Sequence, residues 1–247
     1  MKLTTCLAVV CLSTAGVAAV TGAPPAVVSP GPGPGHPPVD AKFVERMLQS
    51  GRPELTSYVA RRVLSAATWG GRMEARLEAW TYLDPDGTFR FDIIGREGSG
   101  LIRDHVLVAA LKTEQRSRDP RQAAASALTP ANYDFEIGGP GPEGLMAVRL
   151  LPRRKSPMLI EGSVMARQDS GDLVRVAGRL SELPSPWTTR VDVVRRYARI
   201  HGVRVPIEMA STAEVRIAGA SSFSMTYHYT MINGQPVEPV SNYAGTR

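Results

Sequence analysis

From Asn132 to Ile232 the chain alternates apolar and polar residues almost without interruption, and this long period-two run constrains the fold more than any other feature. Strands are expected at 133–137, 145–151, 158–167, 173–180, 189–200, 203–217 and 222–232. Asp169-Ser170-Gly171-Asp172 and Ala218-Gly219-Ala220 serve as turns between them. The apolar phase is traceable from strand to strand. Met158, Ile160 and Val164 face one way, as do Val174, Val176 and Leu180. Val191 and Val193, then Ala213, Val215 and Ile217, then Phe223, Met225, Tyr227, Tyr229 and Met231 extend it. One antiparallel sheet would thus present a wide apolar face, and only short helices are available to cover it.

Those helices come from the first half of the chain. The spacing predicts a helix over 40–49, with an Asp40 cap and Phe43, Met47 and Leu48 near one face. A second is expected over 53–69, where Leu55, Val59, Val63 and Ala66 recur at helical spacing and Gly70-Gly71 stops the run. On that reading Arg61 and Arg62 lie on the solvated side. ARLEAWTYL then alternates Leu77 and Ala79 against Trp80 and Tyr82. After the turn Asp84-Pro85-Asp86-Gly87, Phe89, Phe91 and Ile93 alternate with Arg90 and Asp92, completing a hairpin. Ser99 caps a helix from Gly100 to about Arg118, with Ile102, Val106, Ala109 or Ala110, and Thr113 inward. Asp119-Pro120 breaks it before a further helical turn or two in AAASAL.

The termini set the expected address. Met1-Lys2, a largely apolar run from Cys6 to Val20 and small residues at Ala18, Ala19, Gly22 and Ala23 have the layout of a cleaved secretory leader, assigned to 1–22. Residues 23–38, with the run PPAVVSPGPGPGHPP, form a Pro/Gly-rich tether, 39–235 the folded domain and 236–247 a tail. Both cysteines, Cys6 and Cys11, leave with the leader, so the mature chain has neither a disulfide framework nor a thiolate site. The net charge of +6 is carried mainly by arginine and suits peripheral approach to anionic headgroups; few aromatics are interleaved with the arginines, which argues against nucleic acid as a partner.

Catalytic patterns are sparse. Gly139-x-Gly141-x-x-Gly144 has dinucleotide-loop spacing, but Pro140 and Pro142 remove donors and a strand follows instead of a helix, so it reads as a hairpin connection. His36, His105, His201 and His228 stand apart from other metal-ligand types, and Ser99 lacks the glycines of a nucleophile elbow. Glu78 with Asp92, or Glu161 with Glu214, are the carboxylate pairs a hydrolase would need, but both pairs sit on the polar sides of strands. The chain is therefore expected to have no catalytic residue, no cofactor and no metal.

The order of elements resembles the periplasmic lipoprotein carriers of the LolA-like superfamily. The likeness lies in helices ahead of a hairpin (RLEAWTYLDPDGTFRFDII), then a helix, then LLPRRKSPMLIEGSVMARQDSGDLVRVAGRL, with its step from LLPRR to IEGSV to VRVAGRL; it runs from about Val39 to Ile232. The proline-rich tether and the helical insert from Gly100 to Leu128 depart from a minimal carrier. The resemblance implies an α+β fold with a curved antiparallel half-barrel, covered on its concave face by short helices. It implies non-catalytic binding of lipid acyl chains or lipidated proteins in an apolar cavity, in the service of outer-membrane lipoprotein sorting. Ile160, Val164, Val176, Val191, Val193, Val215, Met225, Tyr227 and Tyr229 are the cavity candidates from the apolar phase of the strands. The rival readings are an envelope interaction or sensor module that docks a protein partner, and a hydrolase with an unrecognised site.

Overall fold

The structure, a computed structural model, describes residues 41–116, 120–216 and 219–238; the expected leader and tether lie outside these residues. One eleven-stranded antiparallel sheet organises the chain. Its strands are β1 (Tyr58–Thr68), β2 (Met73–Leu83), β3 (Phe89–Gly98), β4 (Tyr133–Pro140), β5 (Leu145–Pro152) and β6 (Ile160–Arg167). These are followed by β7 (Leu173–Leu180), β8 (Thr188–Ile200), β9 (Val203–Val215), β10 (Gly219–Ile232) and the short β11 (Gln235–Pro236). The spatial order is β3-β2-β1-β10-β9-β8-β7-β6-β5-β4, with β11 on β10. Register shifts interrupt five of the strand pairings, and each such bulge adds bend and twist, curling the sheet into an open half-barrel. The seven strands expected after Asn132 are all present, and the glycine-proline segment joins β4 to β5 through a single turn, Pro142–Gly144.

The expected helix over 53–69 is instead β1. Leu55, Val59, Val63 and Ala66 do recur at helical spacing, but the same stretch alternates Tyr58, Ala60, Arg62, Leu64 and Ala66, and these are the buried residues. A strand there gains backbone pairing on both sides, with β2 and with β10, which a helix would forfeit. Gly70 and Gly71, at φ 64° and 90°, are hairpin turn residues and not a helix stop.

The helices sit on one face. In α1 (Ala41–Gln49) Phe43 and Met47, one turn apart, are buried. The serine-capped helix begins as α2 (Gly100–Ile102), passes through a π turn (Arg103–Leu107) and continues as α3 (Val108–Arg116). Together they cover β1, β2 and β3. The π turn takes one extra residue, so the inward face advances from the expected Val106 and Thr113 to Leu107, Ala110, Leu111 and Glu114. Ala60, Ala66, Ala75 and Ala79 lie beneath, all buried; their small side chains let the helix approach the sheet. The last helix, α4, is Pro120–Ser126.

The inner phase of β10 also departs from expectation at its end. Met231 is 40% exposed, because a bulge opposite Val59/Ala60 turns it outward and turns Ile232 inward.

Candidate ligand-binding site

The inner face divides into two halves, filled differently. Under the long helix the core is closed, and its centre is polar. Arg62 is fully buried, donating to both carboxylate oxygens of Glu114 at 2.5 and 3.0 Å and to the hydroxyl of Tyr58. The guanidinium stands 4.5 Å from the Tyr227 ring centroid and 5.2 Å from that of Phe89, close enough for cation–π attraction. Burial opposes its charge, but Glu114, Tyr58 and Tyr227 outweigh that cost and hold its pKa well above the ordinary value. Tyr229 stacks on Tyr227, meets Tyr58 edge to face at 5.7 Å and donates to the Pro206 carbonyl at 2.8 Å. The solvated position expected for Arg62 is thus wrong; in a strand it falls in the inward phase, whereas Arg61 points out to Glu78.

Beyond Tyr227 the inner face is filled except for one cavity. A cavity of about 120 Å³ lies between the second half of the sheet and two non-strand segments, 51–55 and 126–128. Leu150, Ile160, Leu173, Val176, Met209 and Tyr227 supply its apolar floor from the strands. Leu55, Leu128 and Met158 close it from the sides. Glu54, Arg195, Tyr197 and Arg204 give the wall a polar stretch, and burial lowers the pKa of Arg204. Tyr133, also in the wall, accepts a hydrogen bond from the Ile160 amide at 3.0 Å, and burial raises its pKa.

Both side walls are pinned. Ser50 shares its hydroxyl between the Met47 and Gly171 carbonyls, at 2.7 and 3.0 Å, tying the end of α1 to the β6–β7 turn. Gly171 is needed there: a Cβ would meet the Met47 amide nitrogen at 2.9 Å, and its φ is 74°. Arg199 adds bonds to Asp172 and to the Ser50 and Arg52 carbonyls. On the other side, the buried Asn132 donates to the Ala124 and Ala127 carbonyls at 2.8 and 2.7 Å, closing the last turn of α4. Arg154 braces it, bonding Asn132 and the Ala125 carbonyl at 2.7 Å each.

Of the nine residues singled out from the sequence, Ile160, Val176 and Tyr227 line this cavity. Val164, Val191, Val193, Met225 and Tyr229 belong to the buried core, and Val215 is half-buried near the end of β9. Sequence reasoning missed Arg62, Glu114, Arg195 and Arg204. The available signal was a charged residue occurring in the apolar phase of an alternating strand, as Arg62 does between Ala60 and Leu64.

Two of the four carboxylates expected of a hydrolase are engaged by arginines. The hydrogen bond from Arg76 lowers the pKa of Glu78, and that from Arg179 lowers the pKa of Glu161. Glu161 and Glu214 lie on β6 and β9 with two strands between, roughly 14 Å at normal strand spacing. Among the described residues no three His, Cys, Asp or Glu side chains gather as a metal site.

No protein-family model and no curated protein sequence matches the chain. Solved structures do. A DUF1329 family protein from Desulfovibrio piger aligns at 13% identity over 75% of this chain and 88% of its own, with a TM-score of 0.37. A LolA superfamily protein from Nitrosomonas europaea aligns at 11% identity over 76% and 91%, also at 0.37. MucB, solved in complex with MucA(peri), aligns at 10% identity over 76% and 93%, with a TM-score of 0.23. No helix of the described residues is long and apolar enough to cross a membrane.

Proposed function

We propose that the chain is exported by a cleaved leader and acts in the periplasm as a non-catalytic binding module for the acyl chains of lipids or lipidated proteins, in the manner of outer-membrane lipoprotein sorting. The observation that carries this reading is the cavity of about 120 Å³ left on the inner face. The floor is apolar and one stretch of wall is charged. An amphiphile matches that arrangement, with its tail against Ile160 and Val176 and its polar head near Arg195 and Arg204.

Size sharpens the proposal. An engineered cavity of about 150 Å³ admits benzene, so 120 Å³ takes a group of about six carbons. At about 0.8 kcal/mol per methylene the gain is roughly 5 kcal/mol, which association costs largely cancel. The closed state therefore gives only weak binding. Micromolar affinity requires segments 51–55 and 126–128 to move apart and admit more of the chain. The test is titration with a fluorescent fatty acid: saturable micromolar binding is expected, lost in a Val176→Trp variant that fills the floor. A folded wild-type protein that shows no binding would favour the envelope interaction module.

A further inference from the structure

We propose that one end of the half-barrel docks on an anionic phospholipid surface. The surface is separate from the cavity, and the inference stands without it. Trp69 in the β1–β2 turn, Leu101 at the start of α2, and Leu183 and Trp187 in the β7–β8 connection are 42%, 58%, 42% and 58% exposed. Antiparallel pairing puts all of these connections at the same end of the sheet. Backbone bonds tie them into one rim. The Arg216 amide donates to the Trp187 carbonyl at 2.9 Å, the Gly70 amide to that of Ala220 at 3.3 Å, and the Ser99 amide to that of Glu74 at 2.7 Å. Four large apolar side chains thus stand on short, hydrogen-bonded connections, where a core-forming role is not available to them.

The charges of the strand connections segregate by end. The rim end supplies Arg72, Arg153, Arg154, Lys155 and Arg216 against Glu182. The opposite end supplies Asp84, Asp86, Glu143, Asp169 and Asp172, with Arg52 balanced by Glu54. Arg153 pairs with Asp134 at the rim, and at the opposite end Asp84 pairs with Arg90 and Asp172 with Arg199; the connections that carry the exposed tryptophans keep the positive excess. Indole rings partition to the headgroup level of a bilayer, and clustered Lys and Arg are drawn to anionic lipid. A protein partner of matching acidity would answer the charge, but isolated aromatic and leucine tips on turns offer it no concave or continuous apolar face. Insertion between headgroups is what such tips fit. Met158 and Leu128, in the cavity wall, also lie toward this end, so a docked molecule would hold that wall close to its lipid source.

The experiment is flotation of the purified exported chain with vesicles of phosphatidylglycerol and phosphatidylethanolamine, and with phosphatidylcholine alone. Binding to the anionic vesicles is expected, at least tenfold weaker on phosphatidylcholine and reduced by 0.5 M salt, with a blue shift of tryptophan emission. The double variant Trp69→Ser/Trp187→Ser should lose the blue shift and at least tenfold in vesicle binding. Its thermal melt and fatty-acid binding should stay unchanged, because both rings are exposed and outside the cavity. Arg72→Glu with Lys155→Glu should weaken binding to the anionic vesicles only. Absence of flotation, equal flotation with both lipids, or a tryptophan variant that floats like wild type would overturn the proposal.

Discussion

Arg62 links the polar core to the cavity, since its guanidinium packs on Tyr227 and Tyr227 walls the cavity. A buried ion pair contributes little net stability, but removing one partner strands the other in an apolar interior. Arg62→Met should therefore cost about 3–5 kcal/mol in urea unfolding, whereas Arg62→Met combined with Glu114→Leu should recover most of that loss. A double variant as unstable as the single would show that the pair is not a unit. Nothing in the local pattern around Arg62 identifies Glu114 as its partner, because the two meet only when the π turn rotates Glu114 inward. Tyr229 makes a separate claim about pH. Burial raises its pKa well above 10.0, so the folded chain keeps a proton that the unfolded chain releases. Its stabilising contribution is complete below about pH 10 and falls as pH rises toward the folded value. Tyr229→Phe should lose about 1 kcal/mol at neutral pH with the bond to Pro206, and show a shallower alkaline decline in melting temperature.

At the scale of elements, the late strands were legible because each has one buried and one wet face, and that asymmetry is written in the sequence as alternation. β1 was not. Its inward residues include Arg62 and two alanines, which are weak hydrophobic markers, and half-buried Val59 and Val63 on the outer face blurred the period. The close approach of β6 and β7 was equally silent. Gly162 pairs with Gly178, and a Cβ at Gly162 would lie 2.1 Å from the Ala177 carbonyl oxygen. Gly162→Ala should cost about 1–3 kcal/mol by forcing the strands apart, measurable as a lower melting temperature, although glycine is otherwise a poor strand residue. The α4 wall depends on a single amide. Asn132→Ala frees the Ala124 and Ala127 carbonyls and should cost about 1–3 kcal/mol, with faster hydrogen exchange confined to 120–132. Exchange rising equally across β1 and β2 would mean that the wall is not an independent unit.

For the whole molecule, the central claim is that the inner face of the sheet is closed except for one cavity of about 120 Å³ between its second half and the segments 51–55 and 126–128. The apolar phase of the strands announced the width of the sheet, and the short helices announced that covering would be incomplete. Where the gap falls was not legible, because it depends on which strands the long helix crosses. That is decided by the pairing of β1 with β10, a contact between opposite ends of the chain. For the same reason five of the nine cavity candidates lie in the buried core, while Arg195 enters the wall where the inner phase of β8 passes from Val193 to arginine, joined by Arg204 from β9. Native mass spectrometry of the exported protein, purified without detergent, tests the claim most directly. The account predicts a population carrying an added mass that organic extraction identifies as fatty acid or phospholipid, and that the Val176→Trp variant lacks. A folded protein that shows only its own mass, and still shows only its own mass after incubation with excess fatty acid, would contradict it.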